Sequence, residues 1–325
     1  MKPKIYVTYP IQAEVEAFLR EHCDIRQWQG DGRVPRETLL NEVANIEGLY
    51  TGGSTIVGRI DEELLARAPQ LKVVSNVSVG YNNFDVEAME KHQVIGTNTP
   101  HVLDETVADL AFGLILSTAR RMVELDRFVK EGKWDRTTDY RELFGKDVNG
   151  TTIGIIGMGR IGEAIARRAK FGFNMDVLYY NRNRKPEAEA KYSATYCDLE
   201  TLLTQADYVV LMTPLTPETY HLIGEEQFKL MKKSAVFVNI SRGQTVDEVA
   251  LIRALENGDI HAAGLDVFEQ EPVDPQNPLL SMPNVVTVPH IGSATAQTEI
   301  AMAMRAAKNL VAVLTGKAPL DPVGK

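Results

Sequence analysis

Cysteine and positive charge are both scarce in this 325-residue chain. Only two cysteines occur, Cys23 and Cys197, which excludes a disulfide scaffold and a four-cysteine zinc site. Two thiols in so long a chain fit a reducing compartment. The 35 basic residues are outnumbered by 44 acidic ones, and the resulting net charge of −9 argues against a broad nucleic-acid-binding surface.

Long apolar runs are missing as well. No apolar stretch reaches the roughly 18 residues that a membrane-spanning helix needs, and the longest, around 110–116, is flanked by Asp109 and by Arg120 and Arg121. The opening segment contains no apolar core of signal-peptide length. Neither an H-E-x-x-H motif nor a carboxylate cluster with ligand spacing occurs, so we expect no metal site. The sequence therefore predicts a soluble, cytoplasmic protein without a metal.

Short apolar runs alternate with longer segments of helical spacing, which predicts an α/β fold with parallel sheets. The first half contains strand candidates at 4–9, 47–51, 72–76 and 94–97, with helical segments at 12–22 and 61–68. The second half contains helical segments at 160–171 and 247–257 and six strand candidates, at 152–156, 176–180, 208–212, 235–240, 261–265 and 285–288. Six buried strands are what a doubly wound nucleotide-binding sheet requires.

A glycine-rich turn follows the first strand of the second half. The run GMGRIG has the G-x-G-x-x-G spacing of dinucleotide-binding turns. We expect Gly157 to form the tight turn, Gly159 to let the backbone approach a pyrophosphate, and Gly162 to let the next helix pack closely. The amides of Arg160 and Ile161, at the start of that helix, would face the phosphates. A glycine-rich turn in an unrelated α/β protein is the alternative interpretation.

The end of the second strand of this half bears on the choice of dinucleotide. NAD-binding sheets carry an acidic residue there for the ribose 2′-hydroxyl, but this chain has Asn181. A neutral amide does not repel a 2′-phosphate, and Arg182 and Arg184 can neutralise one. The sequence therefore favours NADP(H) over NAD(H), unless this arginine-rich turn is only a solvated loop.

The position of the glycine turn affects the expected domain layout. Such a turn belongs to the first βα unit of its domain, so the preceding hundred or so residues need a sheet of their own. Long helical stretches at 102–129 and 294–314 could connect the two domains. We expect a discontinuous first domain, 1–100 plus 292–325, and a central domain, 101–291; two consecutive domains are the alternative.

Four further motifs occur along the chain, one before the glycine turn and three after it. They are VSVGYNNFD at 77–85, NISRG at 239–243, GLDVFEQEP at 264–272 and PHIGS at 289–293. This series resembles the signature motifs of the D-2-hydroxyacid dehydrogenases, and the resemblance covers essentially the whole chain. Within that family it is most similar to the glyoxylate/hydroxypyruvate reductases that also reduce 2-ketogluconate; the runs FGFNM and YNR contribute to this likeness.

The resemblance implies a fold, a reaction and an assembly. The fold would comprise two doubly wound parallel-sheet domains, a Rossmann coenzyme domain and a flavodoxin-like substrate domain, in the discontinuous layout. The reaction would be the NADPH-preferring reduction of a small 2-keto acid to the D-2-hydroxy acid. The family implies a homodimer, with the helical stretch 102–129 as a contact region.

Three residues match the positions that do the chemistry in this family. Hydride transfer to a keto acid builds negative charge on the carbonyl oxygen, which needs a proton and a nearby cation. His290 is similar in position to the family's proton donor, and Glu271 would pair with it and favour the imidazolium. Arg242 would hold the substrate carboxylate and carbonyl, a task suited to its planar fork. Taken singly, each would be interpreted as an ordinary structural or surface residue.

The resemblance also implies supporting contacts. The backbone amides of Val79 and Gly80 would hold the substrate carboxylate, and a loop containing Gly53 would line the substrate site. Asp266 would contact the nicotinamide amide, although a strand-end cap is its alternative role. The other cofactor contacts would come from Thr106, Thr213, Pro214, Ile240 and Ser293.

Two other functions compete with this interpretation. One is a different D-2-hydroxyacid dehydrogenase, such as a phosphoglycerate or D-lactate enzyme, which Asn181 and Arg182 disfavour. The other is a nucleotide-sensing interaction protein, like the corepressors built on the same fold. Loss of NADPH absorbance with a 2-keto acid distinguishes an enzyme from an interaction protein.

Overall fold

A computed structural model describes residues 1–52 and 54–324 of the chain. They form two compact units, one of Met1–Leu103 with Ala294–Lys325 and one of Asp104–Ser293. We call these the discontinuous unit and the central unit. The predicted α/β class is confirmed, since each unit contains its own parallel sheet with helices between the strands.

The helices and strands alternate along most of the described chain. In order they are β1 (Lys4–Val7), α1 (Ala13–His22), β2 (Asp24–Gln27), α2 (Arg36–Glu42), β3 (Gly48–Thr51), α3 (Ser54–Val57), α4 (Glu62–Ala66), β4 (Val73–Asn76), α5 (Val86–Lys91), β5 (Ile95–Thr97), α6 (Asp104–Ala119), α7 (Met122–Lys130), β6 (Thr152–Ile156), α8 (Arg160–Phe173), β7 (Asp176–Tyr180), α9 (Pro186–Tyr192), β8 (Thr195–Tyr196), α10 (Leu199–Gln205), β9 (Tyr208–Leu211), α11 (Glu225–Leu230), β10 (Val236–Asn239), α12 (Glu248–Glu256), β11 (Ala262–Leu265), β12 (Val285–Thr287) and α13 (Ala296–Leu314). Short 3₁₀ helices occur at Val43–Asn45, Tyr140–Leu143, Gly243–Thr245 and Pro278–Leu280.

The discontinuous unit has a five-stranded sheet in the order β2-β1-β3-β4-β5, with every pair parallel. This is the flavodoxin-like order 2-1-3-4-5. Strands β3 and β4 are buried along their whole length. Helix α13, from the last part of the chain, packs on β3, β4 and β5, so this unit requires both of its chain segments.

The central unit has a seven-stranded sheet in the order β12-β11-β10-β9-β6-β7-β8, again all parallel. Counted within the unit, this is the Rossmann order 3-2-1-4-5-6 with a seventh strand added beside the sixth. Strands β9, β10 and β11 are buried throughout. Parallel strands covered on both faces have nearly continuous apolar sequences, which explains why the sequence reveals them.

The strand register determines which residues share an edge of the central sheet. Leu211 lies opposite Asn239, Asn239 opposite Leu265, and Leu265 opposite Thr287. The carboxyl ends of β9 to β12 are therefore level. The loops that follow these strands leave the sheet along a single edge, where ligands of open α/β sheets bind.

Two features differ from the expectations. Strands β2 and β8 are not predicted, because both are short edge strands whose residues are exposed or only partly buried. The helical stretch expected at 102–129 is two helices, α6 and α7. They are separated at Arg121, which has a left-handed backbone with φ of 53°. No helix in the described part of the chain is long and apolar enough to cross a membrane.

Candidate active site

The glycine turn lies between β6 and α8, beside the point where β6 and β9 are adjacent and the strand order reverses. Gly157 has φ of 109°, and a Cβ atom there would lie 2.6 Å from the carbonyl oxygen of Met212. Only glycine fits this conformation and this close approach to the loop after β9. The turn that the sequence predicts at Gly157 is therefore required by the backbone itself.

The other two glycines of the turn have different surroundings. A Cβ atom on Gly162 would lie 2.3 Å from the carbonyl oxygen of Gly157, so the helix approaches the turn too closely for a side chain. A Cβ atom on Gly159 would meet nothing within 4 Å. The amino end of α8, beginning at Arg160 and Ile161, thus opens onto space beside Gly159. This cradle fits a pyrophosphate group, which helix N-termini bind through backbone amides.

The turn after β7 contains the residues expected to distinguish NADP from NAD. Asn181 donates its side-chain amide to the carbonyl of Asn183 at 2.8 Å. Arg184 forms a two-point ion pair with Glu189 at 2.8 Å for each contact. Hydrogen bonds from Arg184 and from the Tyr179 hydroxyl lower the pKa of Glu189 to about 2. Arg182 is exposed, and no ion-pair partner for it occurs within residues 1–52 and 54–324.

The remaining predicted cofactor residues are distributed over the central unit. Thr213 follows β9, and its buried hydroxyl oxygen has no hydrogen-bond partner among the described residues. An orphaned buried hydroxyl beside the Gly157 turn fits a polar ligand group. The others are Thr106 in the first turn of α6, exposed Pro214 after β9, buried Ile240 after β10, and half-buried Ser293 at the end of the unit.

Asp266, directly after β11, holds the turn that contains His290. Its buried carboxylate accepts hydrogen bonds from the amide of Ile291 at 2.6 Å and the amide of Gly292 at 3.0 Å. Its backbone carbonyl accepts the amide of His290, whose φ is 53°. Burial raises the pKa of Asp266, even though the two amide hydrogen bonds favour its charged form and act to lower that pKa. The strand-end cap considered for Asp266 is therefore present, and a nicotinamide contact would have to be made in addition.

His290 and Glu271 form a direct pair. The imidazole Nδ1 lies 2.7 Å from a carboxylate oxygen of Glu271, and the other carboxylate oxygen accepts the amide of Phe268 at 3.1 Å. Burial tends to raise the pKa of Glu271, but the contacts with His290, the Phe268 amide and the charge of Arg242 together lower that pKa. A carboxylate in this position can orient the ring and would stabilise an imidazolium.

Arg242 lies on the loop after β10, at the same edge of the sheet. Its backbone carbonyl accepts the Thr245 hydroxyl at 2.6 Å and the Asn239 side-chain amide at 3.2 Å. Burial lowers the pKa of the Arg242 guanidinium, while the negative charges of Glu271 and Asp266 raise it. A guanidinium stays protonated in proteins, so a fixed cation lies within the electrostatic reach of the His290–Glu271 pair.

Two loops that contain candidate site residues touch each other at Gly243. A Cβ atom on Gly243 would lie 1.7 Å from the carbonyl oxygen of Phe268. Because Arg242 precedes Gly243 and the Phe268 amide donates to Glu271, this contact links the loops of the two candidate residues. The sequence does not predict this contact, since Phe268 lies 25 residues after Gly243.

The sequence also does not predict the set of polar side chains around Glu269, two positions before Glu271. The Glu269 amide donates to a Glu248 carboxylate oxygen at 3.0 Å, and its carbonyl accepts the Gln244 side-chain amide at 2.7 Å. Its carboxylate lies 2.9 Å from Nε2 of His221. All three polar groups of Glu269 are thus held, which anchors the loop that contains Glu271. The signal in the sequence is the pair of acidic residues, Asp247 and Glu248, a few positions after the NISRG motif.

The predicted substrate residues outside this edge belong to the discontinuous unit. Val79 and Gly80 follow β4, beyond the carboxyl end of that strand. The carbonyl of Val79 accepts the Asn98 side-chain amide, and the carbonyl of Gly80 accepts the Ser78 hydroxyl, both at 2.7 Å. Gly53 lies outside the described residues. Within the described part of the chain, no three His, Cys, Asp or Glu side chains are grouped as metal ligands.

The central unit therefore has the architecture of an NAD(P)-dependent oxidoreductase, with its dinucleotide cradle and its histidine–carboxylate pair at one sheet edge. The model of the NAD-binding domain of D-isomer specific 2-hydroxyacid dehydrogenases matches residues 112–292. A glyoxylate/hydroxypyruvate reductase B of Escherichia fergusonii is 50% identical over 316 residues, which cover 97% of this chain and 96% of that protein. A glyoxylate reductase of Thermococcus gammatolerans is 48% identical over 100% of this chain and 97% of that protein.

A solved structure has the same fold. It is the NADPH-dependent glyoxylate/hydroxypyruvate reductase of Sinorhizobium meliloti in complex with NADP and malonate, which is 33% identical. Its TM-score is 0.86, and the match covers 100% of this chain and 97% of that one. The chain belongs to the D-isomer specific 2-hydroxyacid dehydrogenase family, as its motifs predict. The cofactor is a nicotinamide dinucleotide, NADP(H) or NAD(H).

Proposed function

We propose that the protein is an NADPH-preferring reductase of small 2-keto acids, namely glyoxylate, hydroxypyruvate and 2-keto-D-gluconate. The products are the corresponding D-2-hydroxy acids where the product carbon is chiral. The observation that carries this proposal is the 2.7 Å pair of His290 and Glu271, with Arg242 on an adjacent loop of the same sheet edge. The reductase names of the relatives support the substrate class.

The proton in this proposal comes from His290. Because Nδ1 of the ring is bonded to Glu271, Nε2 is the nitrogen that can donate a proton to the substrate oxygen. The carboxylate of Glu271 stabilises the imidazolium before donation and fixes the ring orientation. When bound, the reduced nicotinamide supplies the hydride.

The charge that develops on the substrate oxygen needs a cation that is already in place. Arg242 fits this task, because its guanidinium is permanently charged and its loop is held by Asn239 and Thr245. Its planar fork can bind a carboxylate and a carbonyl oxygen at the same time. We further propose that the backbone amides of Val79 and Gly80 bind the substrate carboxylate.

The cofactor preference follows from the turn after β7. Asn181 places no negative charge there, and Arg182 is exposed without an ion-pair partner among the described residues. Arg184 is already paired with Glu189, so we assign the 2′-phosphate chiefly to Arg182. The Sinorhizobium meliloti relative, which is described as NADPH-dependent, supports this preference.

Steady-state kinetics with both cofactors test this function directly. We expect NADPH oxidation with glyoxylate, hydroxypyruvate and 2-keto-D-gluconate, and D-glycerate as the product of hydroxypyruvate. Replacing Asn181 by Asp together with Arg182 by Ala should move the ratio of kcat/KM values toward NADH. A higher kcat/KM with NADH in the wild-type enzyme would contradict the cofactor assignment, and an L product would contradict the function itself.

We further propose that the protein is a homodimer. Helix α7 has no buried residue, and large apolar side chains are exposed along it and after it. They are Met122, Val123, Val129, Trp134, Tyr140 and Phe144. An exposed apolar patch of this kind is typical of a protein–protein contact. Light scattering should give twice the chain mass of 36.1 kDa; a monomer at micromolar concentration would contradict the proposal.

A further inference from the structure

Two successive carbonyl groups in the loop after β4 are held by a single neighbouring segment. The carbonyl of Ser78 accepts the backbone amide of Thr99 at 2.9 Å. The carbonyl of Val79 accepts the side-chain amide of Asn98 at 2.7 Å. One residue further on, the carbonyl of Gly80 accepts the Ser78 hydroxyl at 2.7 Å. The loop that contains Val79 and Gly80 is thus held peptide by peptide.

These contacts determine the direction of the following amides. A trans peptide is planar, and its N–H points away from the carbonyl of the same peptide unit. The carbonyls of Ser78 and Val79 both point toward residues 98 and 99. The amides of Val79 and Gly80 belong to those same two peptide units, so both are directed away from residues 98 and 99. Successive amides directed to one side form an anion-binding concavity.

Asn98 can enforce this direction because it is itself fixed. It is buried, its backbone amide donates to the carbonyl of Asp321 at 3.3 Å, and its carbonyl accepts the side-chain amide of Asn309 at 3.1 Å. Asn309 lies on α13 and also donates to the Asp321 carboxylate at 2.9 Å. The backbone of Asn98, from which its side chain reaches Val79, is therefore anchored to the buried core of the discontinuous unit.

We propose that Asn98 is a positioning residue for substrate recognition: it holds the Val79 carbonyl so that the Val79 and Gly80 amides face the carboxylate of the keto acid. The inference rests on the proposed function, in which these two amides bind that carboxylate. Ser78 assists by holding the next peptide. Neither side chain needs to touch the substrate, so the effect of replacing it should be on binding of the carboxylate.

The test replaces Asn98 by Asp, which has the same shape but cannot donate a hydrogen bond when ionised, and by Ala. For each variant, KM for glyoxylate should rise by about tenfold or more while kcat changes little, because two directed hydrogen bonds to a charged group weaken. Malonate is the inactive probe: its Kd, measured on the enzyme–NADPH complex, should rise in parallel. Affinity for neutral malonamide and for NADPH should not change.

Ser78 and Ser75 provide the matched variants. Ser78→Ala should raise KM by a smaller factor, and Ser78→Thr, which keeps the hydroxyl, should restore it; this pair decides the matter if the Asn98 variants do not fold. Ser75 is fully buried and donates to the carbonyl of Ala306 at 2.8 Å, within the same unit. Ser75→Ala should lower thermal stability without changing KM or the malonate Kd.

Two results would overturn the inference. One is an unchanged KM and malonate Kd in folded Asn98 variants, or in Ser78→Ala where the Asn98 variants do not fold. The other is a rise in KM of the same size in Ser75→Ala, which would show a general effect of destabilisation. Failure of the proposed function has a separate signature, because the wild-type protein would then neither reduce a keto acid nor bind malonate. That result would remove both proposals together.

Discussion

Replacing Gly243 by Ala should separate the loop that contains Arg242 from the loop that contains Glu271. The added Cβ would lie 1.7 Å from the Phe268 carbonyl oxygen, whereas real Cβ atoms essentially never approach within 3.0 Å. The two backbones must therefore part by at least 1.3 Å, the difference between these distances. A misplacement of about 1 Å can cost roughly 10²-fold in rate, so we expect kcat/KM for glyoxylate to fall by about that factor.

The assay should separate misplacement from unfolding. Overpacking costs about 1–3 kcal/mol, so the variant should remain folded with a lowered thermal midpoint and an unchanged Kd for NADPH. Gly172→Ala is the matched control, because a Cβ there meets nothing within 4 Å and the residue lies inside α8. This control should keep wild-type kinetics.

One result would refute the reasoning about the two loops. If folded Gly243→Ala keeps kcat/KM within about threefold of the wild-type value, the contact with Phe268 does not set the relative position of Arg242 and Glu271. The side-chain contacts around Glu269 would then be sufficient to hold the loop.

Three further predictions address the proton donor, the cation and the stability of the fold. His290→Gln should lower kcat by about 10²–10⁴-fold with NADPH binding intact by fluorescence; near-wild-type kcat would assign the proton to another group. Arg242→Lys should lower kcat/KM for the keto acid, since a point charge replaces a fork; an unchanged value would remove Arg242 from the site. Burial tends to raise the pKa of Asp321, but Arg305 and Asn309 outweigh it and lower that pKa. The resulting stabilisation is present above the unfolded-state pKa and is lost as pH falls. The gap in free energy of unfolding between wild type and Asp321→Asn should therefore narrow from pH 7 toward about pH 3; a constant gap would contradict this.

Most of the central sheet was predictable because β9, β10 and β11 are buried on both faces and β6 nearly so. Such strands are continuous apolar runs, and all six that the sequence predicts are present, with ends shifted by at most one residue. The edge strands β2 and β8 were not predictable, because their residues are exposed or only half-buried and lack that pattern. The break between α6 and α7 at Arg121 could not be predicted from the neighbouring residues either, since arginine is a good helix former.

The sequence by itself determined the glycine turn, the order of the motifs and which side chains are candidates for the chemistry. These are local properties, because a tight turn or a strand end is specified by residues within a few positions. The tertiary structure alone decided which groups meet. The Gly243–Phe268 approach, the hold of Glu248 on Glu269 and that of Asn98 on Val79 join residues about 20 positions apart. No local pattern encodes such contacts, because they depend on how loops from different strands pack at a shared edge.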